Sequence, residues 1–535
     1  MSSPFRRSAG VCLLALLAGG APPLPAAEVI QSDLCVFGAT SAGVAAAVQA
    51  AREGRKVVLT EFGGHLGGMT AGGLSQTDIG NKGAIGGIAR EFYRRMGRHY
   101  GSNEVWKLEP GVAESVFQDL IAGAAVPVYF HRRLAGVKTS GARLAEIQME
   151  DGSVFRAKMF IDASYEGDLM AAAGVSFFVG REANARYGET LDGIRALTPQ
   201  HQFTVAVDPY VRPGDPASGL LPGVQDQAPG LPGAGDNSVQ AYNFRLCLTQ
   251  NPTNKLPIEP PAHYDPAQYE LLARYLEALV AAGKPPRLGQ LIDLQPMPHG
   301  KTDINNNGPF STDFIGGNQG YSGGDYAQRA RIWQAHEDYT RGFLHFLAAS
   351  PRVPAPLRAE MQSWGLCKDE FQDTGGWPHQ LYIREARRMV SDYVMTENNC
   401  RHSLAVPDAV ALAAYTMDSH NCRRIVREGR VENEGDVQVG GFPPYPISYR
   451  SLTPRKRECE NLLVPVCLSA THIAYGSIRM EPVFMVLGQS AAVAAGLALE
   501  KNVPVQEIPY GQLRQRLLAA RQVLEWPPPP APPSP

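Results

Sequence analysis

The chain has 535 residues, 44% of them hydrophobic and 19% charged, with a formal net charge of -2. That is enough for two domains with substantial cores. With no long basic run and no stripe of interleaved aromatic and basic residues, it argues against nucleic acid and anionic membrane surfaces as partners.

The N-terminus reads as a processing segment. Arg6 and Arg7 precede the apolar run 11–17, and small residues follow at Ala26 and Ala27, the pattern of a secretory signal peptide over residues 1–27. The run is shorter than the roughly 20 apolar residues of a membrane anchor. Cys12 lies inside it rather than after it, against lipoprotein cleavage. The paired arginines leave general and twin-arginine export both open. A mature protein beginning near Glu28, periplasmic or secreted and without a membrane span, is expected.

Residues 33–61 read DLCVFGATSAGVAAAVQAAREGRKVVLTE. Residues 34–37 suit a buried parallel strand, Ser41 can cap a following helix, and 57–59 lead a second strand to Glu61. In such a βαβ unit the first glycine makes the tight turn, the second admits a pyrophosphate, and the third lets helix and strand pack closely. Gly38, Thr40 and Gly43 hold those places. Thr40 departs from glycine: its Cβ narrows the approach, while its hydroxyl is a donor for a phosphate oxygen. The helix N-terminus still offers free N–H groups to an anion. Glu61, about 20 residues beyond the turn, is placed to accept hydrogen bonds from an unphosphorylated ribose. Next comes GGHLGGMTAGG, where Gly67 and Gly68 either let backbone lie against a large ligand or mark a flexible surface loop.

Further motifs follow: TDIGNKGAIGGIAREFYRRM, MFIDASYEGDLMAAAGV, GREAN with YGETLDG, DINNNGPFSTDFIGGN, WPHQLYIREARRMVSDYVMTENNC and VPVCLSATHIAYGSIRMEPVFMVLGQSAAVAAGLALE. On these the chain resembles the FAD-dependent oxidoreductase family of two-dinucleotide-fold flavoproteins, many of them secreted and some labelled xanthan lyase-like or grouped with the heterodisulfide-reductase-A-like proteins. The resemblance covers nearly all of the mature chain. It implies an α/β protein with a Rossmann-like FAD/NAD(P)-binding fold and an inserted α+β substrate domain. FAD would be touched by Gly38, Thr40, Ser41, Gly43, Glu61, Gly67 and Gly68. Asp162, after the strand 158–161, stands where such a chain returns to the cofactor, and Gly488 and Gln489 would close the site near the flavin ring.

The motif positions divide the chain into a first FAD-binding part (28–180), a substrate domain (181–453), a second FAD-binding part (454–526) and a proline-rich tail (527–535). The active site is expected between the two domains. Residues 208–236, rich in proline and glycine, read as a surface excursion or lid. Helical spacing occupies 264–282, 325–348 and 382–393.

Candidate catalytic residues come from THIAYGSIRMEP, residues 471–482, between the apolar strand 462–466 and a long apolar helix that Pro482 can open. If the fold is the family's, that helix start and Arg479 favour negative charge on the pyrimidine side of the flavin. His472 and Tyr475 lie on the same connection, His472 being either a base or a hydrogen-bonded structural histidine. Arg479 has the alternative of pairing with Glu481 or a surface acid. His402 is a further candidate base, and Tyr382, Arg384 and Arg387 read as packing and ion-pair residues.

No metal is expected: the cluster from Asp303 to Asn307 with Asp313 resembles calcium ligands in residue type but lacks EF-hand spacing, and no cysteine run suits an iron–sulfur cluster or zinc. Removing Cys12 leaves seven cysteines, among which a disulfide within Cys367, Cys400, Cys422 and Cys459 is allowed. The leading reading is an exported FAD-dependent dehydrogenase or oxidase that takes hydride from a small organic substrate, with sugars among the candidates. The electron acceptor is not written in the sequence. The alternatives are a nicotinamide-dependent dehydrogenase, which would not need the segment at Gly488, and a polysaccharide lyase or carbohydrate-binding protein, which would leave the flavin motifs without a purpose.

Overall fold

Four consecutive apolar side chains at 34–37 need cover on both faces of a strand. In the computed structural model they form the buried end of β1 (Val29–Phe37), parallel to β2 (Val57–Thr60) on one side. The structure describes residues 28–528 together with Met1, so the expected signal segment and most of the proline-rich tail lie outside the described residues. Between the two strands runs α1 (Ser41–Arg52). Its N-cap is Thr40, whose Oγ1 accepts from the Gly43 N–H at 3.3 Å, and Ser41 is the first helical residue rather than the cap.

α2 (Gly87–His99) and α3 (Pro110–Gly123) precede β3 (Val128–Tyr129), which adds in parallel to β2. β4 (Leu134–Ser140) and β5 (Arg143–Met149) form an antiparallel extension that joins β6 (Val154–Asp162), and β6 lies parallel to β1. The order is β3-β2-β1-β6-β5-β4. This is a Rossmann-type layer with an antiparallel edge.

After α4 (Asp168–Ala172), β7 (Phe177–Phe178) and α5 (Asn184–Tyr187) the chain leaves that layer. Residues 208–236 make an irregular excursion holding one short 3-10 turn, Pro216–Ser218. A second sheet of order β10-β11-β8-β12-β9 is entirely antiparallel. It comprises β8 (Leu246–Thr249), β9 (Lys255–Leu256), β10 (Ile292–Pro296), β11 (Lys301–Asn306) and β12 (Gly365–Cys367). α6 (Glu270–Ala281), α7 (Tyr326–Ala349) and α8 (Ala355–Ser363) lie among its strands in sequence. Asp325 caps α7 by accepting from the Gln328 N–H at 2.7 Å.

The helix expected over 382–393 is not formed. That stretch is extended, and its β13 (Arg388–Met389) pairs with β7. Two buried guanidinium groups explain the difference. Arg384 meets Asp313 at 2.9 Å, whereas Arg388 meets Glu182 and Glu385, each at 2.8 Å. Buried charges must find their partners, and that requirement outweighs a weak helical spacing.

Beyond α9 (Glu397–Cys400), three antiparallel pairs follow: β14 (Ala409–Ala413) with β19 (Tyr445–Ser448), β15 (Met417–Ser419) with β18 (Val437–Val439), and β16 (Arg423–Arg427) with β17 (Arg430–Glu434). The expected strand at 462–466 is reduced to β20 (Leu462–Leu463), which returns the chain to the first sheet in parallel with β6.

α10 (His472–Ile478) stands where a connection is expected, and α11 (Glu481–Lys501) begins one residue before Pro482. Among the described residues α11 is the one helix long and apolar enough to cross a membrane, yet it is buried inside the protein. It packs on α1, where a Cβ at Gly488 would lie 2.1 Å from the Ala42 carbonyl oxygen. Close helix approach therefore requires glycine there. α12 (Tyr510–Ala519) packs beside α11.

The described cysteines are all buried and unbridged. The neighbour of Cys367 is Cys247, outside the expected set of four, with Sγ atoms 3.3 Å apart.

Candidate functional site

The turn from β1 into α1 is set by contact with the end of β6. Gly38 has φ +94°, and a Cβ on it would lie 2.8 Å from the Ser164 nitrogen. A Cβ at Gly43 would lie 1.9 Å from the Gly38 carbonyl oxygen. Thr40 Oγ1 donates to the Ala163 carbonyl at 2.7 Å, so its hydroxyl already has an acceptor within the protein. The first turn of α1 carries no acidic residue of its own, while the Glu481 carboxylate of α11 reaches its Ser41 hydroxyl at 2.6 Å.

Glu61 ends β2 beside this turn. Its carboxylate accepts from the Ala39 N–H at 2.6 Å and the Gly63 N–H at 2.8 Å. Burial nonetheless pushes its pKa up, outweighing these backbone donors. A ribose hydroxyl at this carboxylate would donate to an oxygen already held in place, which is the preorganisation a nucleotide site needs.

Gly38, Thr40, Glu61 and Gly68 line one side of a cavity of ≈ 280 Å³. Gly67 has φ +93° and Gly68 φ +53°, and Gly67 N–H donates to the Ala39 carbonyl at 2.8 Å, pinning this segment to the turn. Another side is the turn after β6. There Asp162, fully buried, accepts from the Ser164 N–H at 3.0 Å, the Ser164 hydroxyl at 2.6 Å and the Met170 N–H at 2.8 Å. Asp162 thereby shapes the turn that presents Tyr165, Glu166 and Asp168 to the cavity. Burial raises its pKa to about 6 despite those donors.

The remaining wall comes from the middle of the chain: Tyr321, Tyr326, Arg329 and Trp333 at and near the start of α7, and His379 with Gln380. Arg329 grips both oxygens of Asp168, at 2.5 and 2.8 Å, and Arg387 donates to the same carboxylate at 2.7 Å. Burial would raise the Asp168 pKa, but these two guanidinium groups outweigh it and hold the group ionised. Its neighbour Glu166 goes the other way: burial and the nearby Asp168 charge push it up to about 7, against the pull of Arg329. His379 faces the cavity with neither ring nitrogen hydrogen-bonded by protein. Burial and the neighbouring His65 lower its pKa to about 4, so its imidazole is neutral. His65 stacks on it, ring centroids 3.7 Å apart, while bonding Glu114 at 3.1 Å and Asp373 at 3.0 Å.

Several expected residues lie away from the cavity. Ser41 donates to Glu481 at 2.6 Å. Gly488 is the α1–α11 contact, and the Gln489 amide accepts from Ile88 N–H at 2.9 Å and donates to Gln49 at 2.9 Å. His472 is buried with both nitrogens engaged, Nδ1 to Glu385 at 2.7 Å and Nε2 to the Ser419 hydroxyl at 2.9 Å. Tyr475 is buried in the core. Arg479 pairs with Asp418 at 3.1 Å rather than with Glu481, and donates to the Tyr382 hydroxyl at 2.9 Å. His402 is exposed, with one ring nitrogen 3.4 Å from the Pro443 carbonyl. Asp303 and Asp313 are taken up by Arg245 at 2.6 Å and Arg384 at 2.9 Å.

Sequence reasoning missed Tyr165, Glu166 and Asp168, although they sit inside the SYEGD motif directly after Asp162. It also missed Glu481, which accepts from Ser41 at 2.6 Å, Tyr165 at 2.7 Å and Thr70 at 2.8 Å and so ties α11 to both glycine segments. Arg329 and His379 carried no local signal, because their role depends on the middle of the chain folding over the first sheet.

The chain matches the family described as FAD dependent oxidoreductase over residues 33–517. No curated protein matches it. Among solved structures it is similar to the thioredoxin reductase of T. acidophilum, at 19% identity over 25% of this chain and 34% of that one, with TM-score 0.17. It is similar to a 3-ketosteroid-delta4-(5alpha)-dehydrogenase from Rhodococcus jostii RHA1, at 16% identity over 27% and 48%, with TM-score 0.20. A flavoprotein/dehydrogenase from Cytophaga hutchinsonii gives 20% identity over 28% and 44%, with TM-score 0.21. The chain thus spans less than half the length of each of these proteins.

Proposed function

Because the chain belongs to the FAD dependent oxidoreductase family, we propose that this flavoenzyme is exported and transfers hydride from a small organic substrate, with sugars and other polyols the first candidates, to FAD held in the cavity described above. The observation that carries the placement is the meeting of the glycine turn and the Glu61 carboxylate on one wall with side chains of the inserted middle segment on the other. The residues fit the cofactor: the glycine turn at Gly38 leading into α1 suits a pyrophosphate, and Glu61 suits a ribose. The export motif in the first 27 residues and the long run of shared motifs support the secreted, xanthan lyase-like group as the nearer kin.

FAD, when bound, supplies a two-electron acceptor for hydride. The chain supplies binding, orientation and a proton acceptor. His379, a weak base with its pKa lowered to about 4 and both buried ring nitrogens unpartnered, takes the proton of a substrate hydroxyl in this reading, the role His472 cannot fill with both nitrogens occupied. Arg479 acts at a distance by holding the Tyr382 hydroxyl, and so the segment that carries His379. Glu166 and Tyr321, joined at 3.1 Å, offer polar contacts to a substrate entering beside α7.

Purified protein is expected to be yellow and to release FAD on denaturation. Anaerobic mixing with a panel of sugars, polyols and hydroxy acids, followed by loss of flavin absorbance, identifies the substrate class. With an active substrate, His379→Ala is expected to slow flavin reduction by about 10²-fold, the low end for a base this weak, with FAD still bound. Equal rates in the two proteins would remove His379 from the chemistry.

A further inference from the structure

Cys247 and Cys367 are 120 residues apart in sequence and neighbours across the second sheet. β8 and β12 pair with Thr249 opposite Gly365 and Leu248 opposite Leu366, and one more step along the ladder sets Cys247 opposite Cys367. Side chains directly opposite on an antiparallel pair point to the same face. Here that face is a small buried cluster of the two cysteines with Met297 and Phe371. Their sulfurs are 3.3 Å apart, and a disulfide bond requires about 2.0 Å. The gap is of the size that small rotations about χ1 can close without moving the strands. Four of the remaining thiols behave differently: Cys422, Cys459 and Cys467 lie beside oxygen acceptors, and Cys400 beside Tyr445.

The pair has a defined place in the molecule. Cys247 lies opposite Asp303 on its other side, in β11. Asp303 accepts from the backbone N–H groups of Ser75 and Gln76 at 3.1 and 3.0 Å and binds Arg245 at 2.6 Å. The two cysteines therefore sit at the middle of the sheet that buttresses the glycine-rich segment following Glu61.

We propose that Cys247 and Cys367 form a cross-strand disulfide that locks β8 to β12 behind the cofactor cavity, made by exchange with a low-molecular-weight disulfide as the chain folds. The Cys247 thiolate attacks one sulfur of oxidised glutathione and expels the first glutathione. The Cys367 thiolate then attacks the Cys247 sulfur of the mixed disulfide and expels the second. The two protein sulfurs are oxidised, the two glutathione sulfurs are reduced, and the two thiol protons end on the released glutathione. Closing a loop of this length restricts the unfolded chain, so the bond opposes separation of the strands.

The test uses the full chain synthesised in a cell-free mixture buffered with oxidised and reduced glutathione. The soluble monomer is alkylated in denaturant and digested with trypsin. Residues 246–255 and 359–368, each carrying one cysteine, are expected as a single linked pair two hydrogens lighter than their sum. Synthesis in dithiothreitol should return both peptides alkylated. In Cys247→Ser, peptide 359–368 should be alkylated and unlinked. Alkylation of both peptides from the oxidising synthesis would overturn the proposal, and so would a link from either of them to any other cysteine.

Discussion

Glu61 and Asp436 are both carboxyls in the interior, and their surroundings give them different uses. Glu61 is met by two backbone N–H groups and faces the cavity. Glu61→Gln removes a charge-assisted hydrogen bond worth about 1.5–3 kcal/mol. FAD should then dissociate roughly 10–100 times more readily, as equilibrium dialysis against FAD would show, and the apoprotein's melting temperature should also fall because the amide can accept from only one of the two backbone N–H groups. Asp436 is 1% exposed, has one oxygen without a partner, and is raised to about 8 by burial and by Asp418. It stays neutral in the fold but ionises near 3.8 once unfolded, so rising pH favours the unfolded chain until the folded group itself ionises near 8. The buried His336 and His379, lowered to about 4, oppose this slope only below their ordinary 6.5. Between pH 6.5 and 8 Asp436 should therefore cost about 2 kcal/mol of stability. Melting temperatures measured across that range should fall more steeply in the wild type than in Asp436→Asn, where the raised Glu166 and His65 still contribute a smaller fall.

At the scale of elements, the α1–α11 pair is the seam that unites the two ends of the chain. Ala42 and Gly488 meet there with no room for a Cβ. Gly488→Val should force the helices apart at a cost of about 3 kcal/mol or more, since overpacking alone costs about 1–3 and a helix must shift as well. The expected result is a lower melting temperature and loss of bound FAD together. An unchanged melting temperature would show that the seam yields easily. The segment 382–393 teaches the converse: its apolar spacing suits a helix, but Arg384 and Arg388 each reach a different buried carboxylate, and extended chain is what lets both do so.

For the whole molecule, the cavity exists because the middle of the chain folds back on the first sheet. The Arg329–Asp168 pair is a clamp between the two. Arg329→Met would leave Asp168 with Arg387 alone and should cost about 3 kcal/mol, the order expected when one partner of a largely buried pair is removed. FAD release on heating should begin earlier than in the wild type, with the first sheet still folded by far-ultraviolet circular dichroism. Export belongs to this scale too: mass spectrometry of protein from its native host should find a chain beginning near Glu28. A chain retaining residues 1–26 would contradict cleavage.

Residues 33–61 were legible from the sequence because strand, turn and helix there are set by local spacing. Gly38, Gly43 and Glu61 stand in the structure where their spacing put them, and the seven-stranded layer follows from their unit. The family could likewise be read from motifs that run along the chain. The placement of His472, Tyr475 and Arg479 could not, because burial and partner choice depend on residues far away: Glu385 and Ser419 for His472, Asp418 and Tyr382 for Arg479. The same reason hid His379 and Arg329, which meet the cavity only through contacts between distant segments. Local sequence determines which elements form, and long-range burial of charge decides which side chains are left free to act.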